Sequence, residues 1–209
     1  TTVPMNRTFH MWHAHIGGLK PGVGYAYRVS GPGDNGHGFR FNTNRVLIDP
    51  YARANDNQLW SRALACDSVN GDNMAARDNL DASMRSIVVD TNGFDWQGDQ
   101  PLNRPMADSV IYEMHVRGFT QHPSAGVKHP GTFLGVVEKI PYLKSLGVTA
   151  IELLPVFEFD ETDVLREHDG TQLRNYWGYS TMSFFAPHRA FATSPEASTR
   201  INEFRTMVK

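Results

Sequence analysis

The chain has 209 residues, a formal net charge of −2, and is 40% hydrophobic and 20% charged. That balance argues against a broad basic surface for nucleic acid or for an anionic membrane, and no apolar run reaches the length of a membrane span. Cys66 is the one cysteine, so no internal disulfide can form and a reducing, cytoplasmic setting is the expectation.

Residues 1–50 read as β structure. Thr8 to Ile16 is rich in aromatic and apolar residues, and Gly17-Gly18 breaks it. Pro21-Gly22 is a turn signal, after which Tyr25, Tyr27 and Val29 alternate as a half-buried strand requires. A leucine, a Pro-Gly turn and a tyrosine opening a strand are similar to the tyrosine corner of immunoglobulin-like sandwiches. Few strands fit before Pro50, whereas such a sandwich needs about seven. This N-terminal domain is therefore expected to be cut short. Val46-Leu47-Ile48 reads as a short strand that Asp49-Pro50 ends.

Residues 53–108 are polar and turn-rich, with loop compositions at Asn70-Gly71-Asp72-Asn73 and Arg77-Asp78-Asn79. Ile87-Val88-Val89 forms one short strand. The stretch reads as a connector packed on both neighbours, since so long a structureless loop is unusual inside one domain.

Ser109 to Glu158 organises the rest. Val110 to Val116 and Val148 to Leu154 are apolar, β-branched runs that bracket a helical segment. Thr132 is its N-cap, and Gly147 supplies a left-handed stop. Pro141 cannot continue a helix ladder, so two short helices are expected, with Pro141 opening the second. Strand, helix, strand over this length is a βαβ unit with parallel strands. Pro155 to Ser194 is a long connection carrying the acidic patch Glu158-Phe159-Asp160-Glu161 and the aromatic tract Tyr176-Trp177-Gly178-Tyr179. Ser194-Pro195-Glu196 marks a helix start, with Ser194 as cap, and Ile201, Phe204 and Val208 follow at helical spacing. A chain that stops inside this helix reads as truncated.

Several tracts in order resemble the isoamylase-type glycogen debranching enzymes of the α-amylase group of glycoside hydrolases. Tyr112-Glu113-Met114-His115-Val116-Arg117-Gly118-Phe119-Thr120 resembles their first barrel strand. His129 to Phe133 and Glu138 to Lys144 resemble the following loop and helices, and Val148 to Val156 the second strand. Asn175 to Tyr179 resembles the tract after it. Gly36 to Asn42 and Val46 to Ala52 resemble the exit of the carbohydrate-binding sandwich that precedes the barrel. The resemblance implies an α+β multidomain fragment. Residues 1–52 would be the C-terminal part of an immunoglobulin-like β-sandwich of carbohydrate-binding type and 53–108 a connector. Residues 109–209 would be the first two βα units of a TIM (β/α)8 barrel. It further implies hydrolysis, with retention, of α-1,6 branch linkages in glycogen, amylopectin or limit dextrin. A glycogen-branching transferase of the same layout and a non-catalytic glucan-binding module are the alternatives.

Retaining hydrolysis needs two carboxyl groups about 5–5.5 Å apart. Glu113 and Glu152 sit inside apolar strands, where a carboxylate needs a partner, and read as structural hydrogen-bonding groups. By resemblance the catalytic acids lie beyond Lys209, so none is assigned and the chain alone is expected to be inactive. A tyrosine matching Tyr179 stacks under the sugar in the family. Tyr179, Trp177 and Tyr176 are thus the substrate-binding candidates, with Tyr176 or Trp177 as a possible support packed behind Tyr179. No cofactor or metal is implied. His13 and His15 share a strand face without His10, and no Cys or carboxylate completes a tetrahedral set there. His115 reads as a packed, hydrogen-bonded histidine, and Asp160-Glu161 as a solvated loop face.

Overall fold

A computed structural model describes residues 1–33, 35–65, 68–69, 72–73, 76–164 and 166–209. Cys66, Asn70 and Gly71 lie outside the described residues. The chain opens with a hairpin of β1 (Asn6–Thr8) and β2 (Met11–His13), then β3 (Gly24–Tyr25), β4 (Asn55–Asp56), α1 (Arg62–Ala65), β5 (Ser68–Val69), β6 (Asp72–Asn73) and β7 (Arg85–Ile87). The second part runs β8 (Ile111–Met114), α2 (Val116–Thr120), α3 (Phe133–Ser145), β9 (Ala150–Leu153) and β10 (Phe157–Glu158). It continues through β11 (Glu167–His168), β12 (Thr171–Gln172), β13 (Ser183–Pro187) and α4 (Ala197–Val208).

The Thr8–Ile16 run is a hairpin rather than one strand. Phe9 turns the chain with φ +54°, and Thr8 pairs Met11. No glycine, proline or asparagine announces that turn, which is why the pattern hides it. The Tyr25–Val29 alternation holds only over its first half: β3 ends at Tyr25, Tyr27 makes a lone bridge to Leu47, and Val29 is exposed. The Tyr25 hydroxyl donates to Asp49 Oδ2 at 2.8 Å. β7 lies between β3 and β4 in a three-stranded antiparallel sheet, so residues 85–87 are knitted into the N-terminal segment.

β8 and β9 are parallel, with Ile111 opposite Ala150 and Glu113 opposite Glu152. The strand expected to reach Val116 stops at Met114, because His115 caps α2 by accepting the Gly118 N–H. Between the strands α3 starts where expected: Thr132 accepts the Gly135 N–H at 3.2 Å, and Gly147 closes the turn with φ +81°. Pro141 does not divide it; α3 is one helix. A proline inside a helix costs about 3 kcal/mol. Phe133 and Val136 before it and Leu143 after it are buried in one core with Met114, Val116, Val156, Phe159 and Phe191. Each such side chain contributes roughly 1.5–3 kcal/mol, so the shared face outweighs the lost hydrogen bond. α4 begins two residues later than expected, with Glu196 at the cap and Ser194 Oγ accepting the Glu196 N–H. Ile201 is buried and Phe204 packs against the core, while Val208 stays exposed. No helix among the described residues is long and apolar enough to cross a membrane.

Gly135 lies where α3 meets the preceding loop. A methyl group there would overlap the His129 carbonyl and stand 2.9 Å from Thr120 Oγ1. Alanine gains about 1 kcal/mol of helix propensity over glycine, but backbone cannot yield as a flexible side chain would. Gly135→Ala is expected to lower stability by about 1–3 kcal/mol in urea unfolding. An alanine variant more stable than wild type would contradict this packing.

Candidate functional site

The carboxyl ends of β8 and β9 meet the long 155–194 connection. There a concavity of about 360 Å³ is lined by His115, Arg117, Phe159, Glu161, Arg174, Asn175, Tyr176 and Phe191. His115 follows β8 directly. Its Nδ1 accepts the Gly118 N–H at 3.0 Å, which leaves the proton on Nε2 to donate to the Tyr176 carbonyl at 2.8 Å. Burial lowers its pKa, partly offset by that bond to Tyr176. A neutral ring doubly hydrogen-bonded fits the expected packing role.

The Tyr176 ring lies flat on His115, with centroids 4.4 Å apart and planes 14° apart. Its hydroxyl occupies the space a side chain at Gly118 would fill. One face of Tyr176 is therefore taken up by support, and Trp177 meets its edge. Trp177 and Tyr179 are 57% and 58% exposed. Among the described residues no ring packs against Tyr179. The loop is tied by Asn175. Its Oδ1 accepts the Gly178 N–H at 3.0 Å, its Nδ2 donates to the Tyr179 carbonyl at 2.9 Å, and its own N–H donates to the Glu161 carbonyl. Gly178 has φ +79°, and a side chain there would stand 3.0 Å from Phe159 and 3.1 Å from the Pro155 carbonyl. So Tyr176, Trp177 and Tyr179 come together on one loop, as the sequence suggested, over a floor made by Phe159.

The acidic patch departs from its expected solvated character. Asp160 is buried. It accepts from Trp60 Nε1 at 3.0 Å, Arg62 at 2.7 Å and both the N–H and hydroxyl of Thr162. Burial raises its pKa, but these donors together outweigh burial and hold it below the usual carboxylate range. Glu161 pairs with Arg174 at 2.9 Å. Glu113 and Glu152, whose side chains were expected to be hydrogen-bonded within their strands, are instead exposed, and no side-chain hydrogen bond of either occurs among the described residues. They share the sheet face away from Met114 and Leu153, the side chains that join the core, so solvent meets the cost of their charge.

Glu158, His188 and Arg200 are 0%, 1% and 2% exposed, and none was singled out from the sequence as a site residue. β10 pairs with β13, and His188 N–H donates to the Val156 carbonyl, which brings His188 beside Glu158. His188 Nε2 is 3.6 Å from Glu158 Oε1, and Arg200 Nη1 is 3.5 Å from Glu158 Oε2. Asn57 Nδ2 donates to Glu158 at 3.2 Å, Arg189 donates to Asn57 Oδ1, and Arg200 Nη2 donates to the Asn55 carbonyl at 2.8 Å. Burial pushes the Glu158 carboxyl up to about 8 against the pull of Arg200 and Arg189. Burial likewise pushes His188 down to about 3, with Arg200 adding to it. One signal was present. Arg200, Glu203, Phe204 and Met207 follow the i, i+3, i+4, i+7 spacing of one helical face, so its two charges break an otherwise apolar stripe.

A βαβ unit whose strand ends open on a pocket and an aromatic loop is the layout of an α/β enzyme with its site at the carboxyl ends of the strands. The chain belongs to the α-amylase family: a model described as the alpha amylase catalytic domain matches residues 70–206. A model described as carbohydrate-binding module 48, the isoamylase N-terminal domain, matches residues 1–52. Isoamylase 1, chloroplastic, of Arabidopsis thaliana is 39% identical over 98% of this chain and 26% of its own length. The glycogen debranching enzyme of Salmonella typhi is 40% identical over 95% of this chain and 30% of its own length. The chain thus spans 26–30% of these two relatives. Among solved structures, a pullulanase from Bacillus acidopullulyticus aligns with 98% of this chain and 22% of its own, at TM-score 0.65 and 28% identity. A pullulanase from Anoxybacillus sp. LM18-11 complexed with maltotetraose covers 78% of this chain and 22% of its own, at TM-score 0.54 and 31% identity. The resemblance to isoamylase-type debranching enzymes is borne out.

The two buried titrations oppose each other. The folded chain keeps Glu158 protonated between pH 4.5 and about 8, where the unfolded chain is ionised, so its contribution falls as pH rises. It keeps His188 neutral between about 3 and 6.5, where the unfolded chain takes up a proton, so its contribution falls as pH drops. Between pH 4.5 and 6.5 they cancel. Glu158→Gln should then fall further below wild type on acidification, by up to about 1.4 kcal/mol per pH unit. His188→Gln should fall further below wild type as pH rises. Urea midpoints at pH 5 and 6.5 read both; profiles parallel to wild type would contradict the assignment.

Proposed function

We propose that this chain is part of a glycoside hydrolase that cleaves α-1,6 branch linkages in glycogen- or amylopectin-type glucans, and that its part in the site is to present an aromatic sugar platform. One observation carries the reading. Trp177 and Tyr179 stand exposed on a loop held rigid by Asn175, at the carboxyl ends of two parallel strands. The relatives' names support it, since they are isoamylases and glycogen debranching enzymes. An aromatic ring suits the apolar face of glucose, and a neutral glucan matches a chain with little net charge. Tyr176 contributes as the support that seats the loop on His115.

In this reading residues 109–209 form the first two βα units of a (β/α)8 barrel, and residues 1–52 the C-terminal part of a carbohydrate-binding β-sandwich. The connector 53–108 adds β4 and β7 to the sheet of the first segment. No catalytic carboxylate is assigned here. A cytoplasmic setting rests on the single cysteine; the plant relatives' names place those proteins in chloroplasts.

A ring stacked on a sugar contributes roughly 1 kcal/mol or more, by analogy with other aromatic contacts. In the protein expressed from its complete gene, Tyr179→Ala should lower kcat/KM on a branched dextrin at least about tenfold, near 1.4 kcal/mol. Tyr179→Phe keeps the ring and should lose far less. Near-wild-type kinetics in a folded alanine variant would leave Tyr179 as a packing residue and remove the platform.

A further inference from the structure

The Glu158, His188 and Arg200 cluster is expensive as it stands. Glu158 Oε2, His188 Nε2 and Arg200 Nε and Nη1 are buried without a hydrogen-bond partner. A buried polar group left so costs about 1–3 kcal/mol, and more when charged. A cluster of this kind contributes little net stability over an apolar core of the same shape. What it does hold is the floor of the site.

The His188 imidazole lies against Phe159, with centroids 4.1 Å apart and planes 20° apart. Nδ1 accepts the Ala190 N–H at 3.1 Å, so the neutral ring carries its proton on Nε2. That nitrogen faces Glu158 Oε1 at 3.6 Å and Glu161 Oε1 at 4.0 Å. The ring is therefore held by the hydrogen bond at Nδ1 and by its stacking on Phe159, while Nε2 only lies near the two carboxyl groups. Phe159 also meets Gly178, where a Cβ would stand 3.0 Å from its ring. Arg200 anchors Glu158 from α4, and Asn57 anchors it from the segment after the carbohydrate-binding match. The chain of contact runs from Arg200 through Glu158 and His188 to Phe159, and from there to the loop bearing Trp177 and Tyr179.

We propose that Glu158, His188 and Arg200 are positioning residues that act through Phe159 to fix where Trp177 and Tyr179 stand, and so set the affinity of the site for a neutral α-glucan without touching it. The glucan part rests on the function proposed above; the positioning does not.

The test compares His188→Phe, which keeps a flat ring on Phe159 and loses both nitrogens, with His188→Gln, which keeps an amide and loses the ring. Both are made in the protein expressed from its complete gene. Both should lower Tm. With 5-fluorotryptophan incorporated and the Trp177 resonance assigned by Trp177→Phe, the glutamine variant should shift and broaden that resonance and the phenylalanine variant should leave it near wild type. On a branched dextrin the glutamine variant should raise KM about tenfold with kcat within about twofold, and the phenylalanine variant should restore most of the KM. Phe159→Leu, which leaves the three polar side chains in place, should reproduce the Trp177 shift even where a His188 variant fails to fold. An unmoved Trp177 resonance in Phe159→Leu or His188→Gln overturns the proposal. So does a KM that rises with the loss of Tm equally in both His188 variants. If the wild-type protein has no action on branched dextrins, the functional reading fails, and the Trp177 resonance alone decides the positioning.

Discussion

Glu158 is the constraint on which the second half of this molecule depends. Its carboxyl is fully buried where β10 meets β13, with Arg200 from α4 on one side and His188 on the other. Removing such a group from water is costly unless neighbours compensate, and here compensation comes from elements far apart in sequence. Asn57 reaches it from the N-terminal region and is itself held by Arg189, His188 comes from beyond β13, and Arg200 comes from the last helix, tied to the Asn55 carbonyl. One buried acid thus requires the 155–194 connection, α4 and the 55–57 segment to meet in a single arrangement. An apolar residue would accept many arrangements; a buried carboxyl that takes a hydrogen bond from Asn57 and lies beside Arg200 accepts fewer.

That fixed arrangement bears on the site through the neighbouring residue. Glu158 lies in the cluster and Phe159 lines the pocket, where it stacks on His188 and touches Gly178. The parallel β8–β9 pair sets the opposite wall: β8 delivers His115, and His115 seats Tyr176. Two supports, one polar and one aromatic, underlie a loop whose Trp177 and Tyr179 rings are exposed. Rigid support matters because a platform that must be ordered on binding gives back part of its contact energy as entropy.

What could be read from the residues follows from how local the physics is. The βαβ unit was legible because β-branched runs, the Thr132 cap and the Gly147 stop each act within a few residues. The aromatic loop was legible because its rings are consecutive. Pro141 misled because a local rule met a helix face buried on both sides of it. The β1–β2 turn was hidden because Phe9 and His10 carry no turn chemistry. The β3–β7–β4 sheet is made of two- and three-residue strands brought together over dozens of residues, too short to show a period. The buried polar cluster escaped because an acid in a polar tract and an arginine on a helix usually face water. Only the interruption of an apolar stripe by Arg200 and Glu203 pointed inward.

Under the proposed function these residues present a sugar platform, and no acid–nucleophile pair is assigned among them. The most direct test is reducing-end release from amylopectin by this chain alone, freed of host glucanases. No turnover above the blank is expected. Turnover that persists through purification and is lost in Glu113→Gln or Glu152→Gln would contradict it, because the chemistry would then belong to the two carboxylates that face each other across β8 and β9.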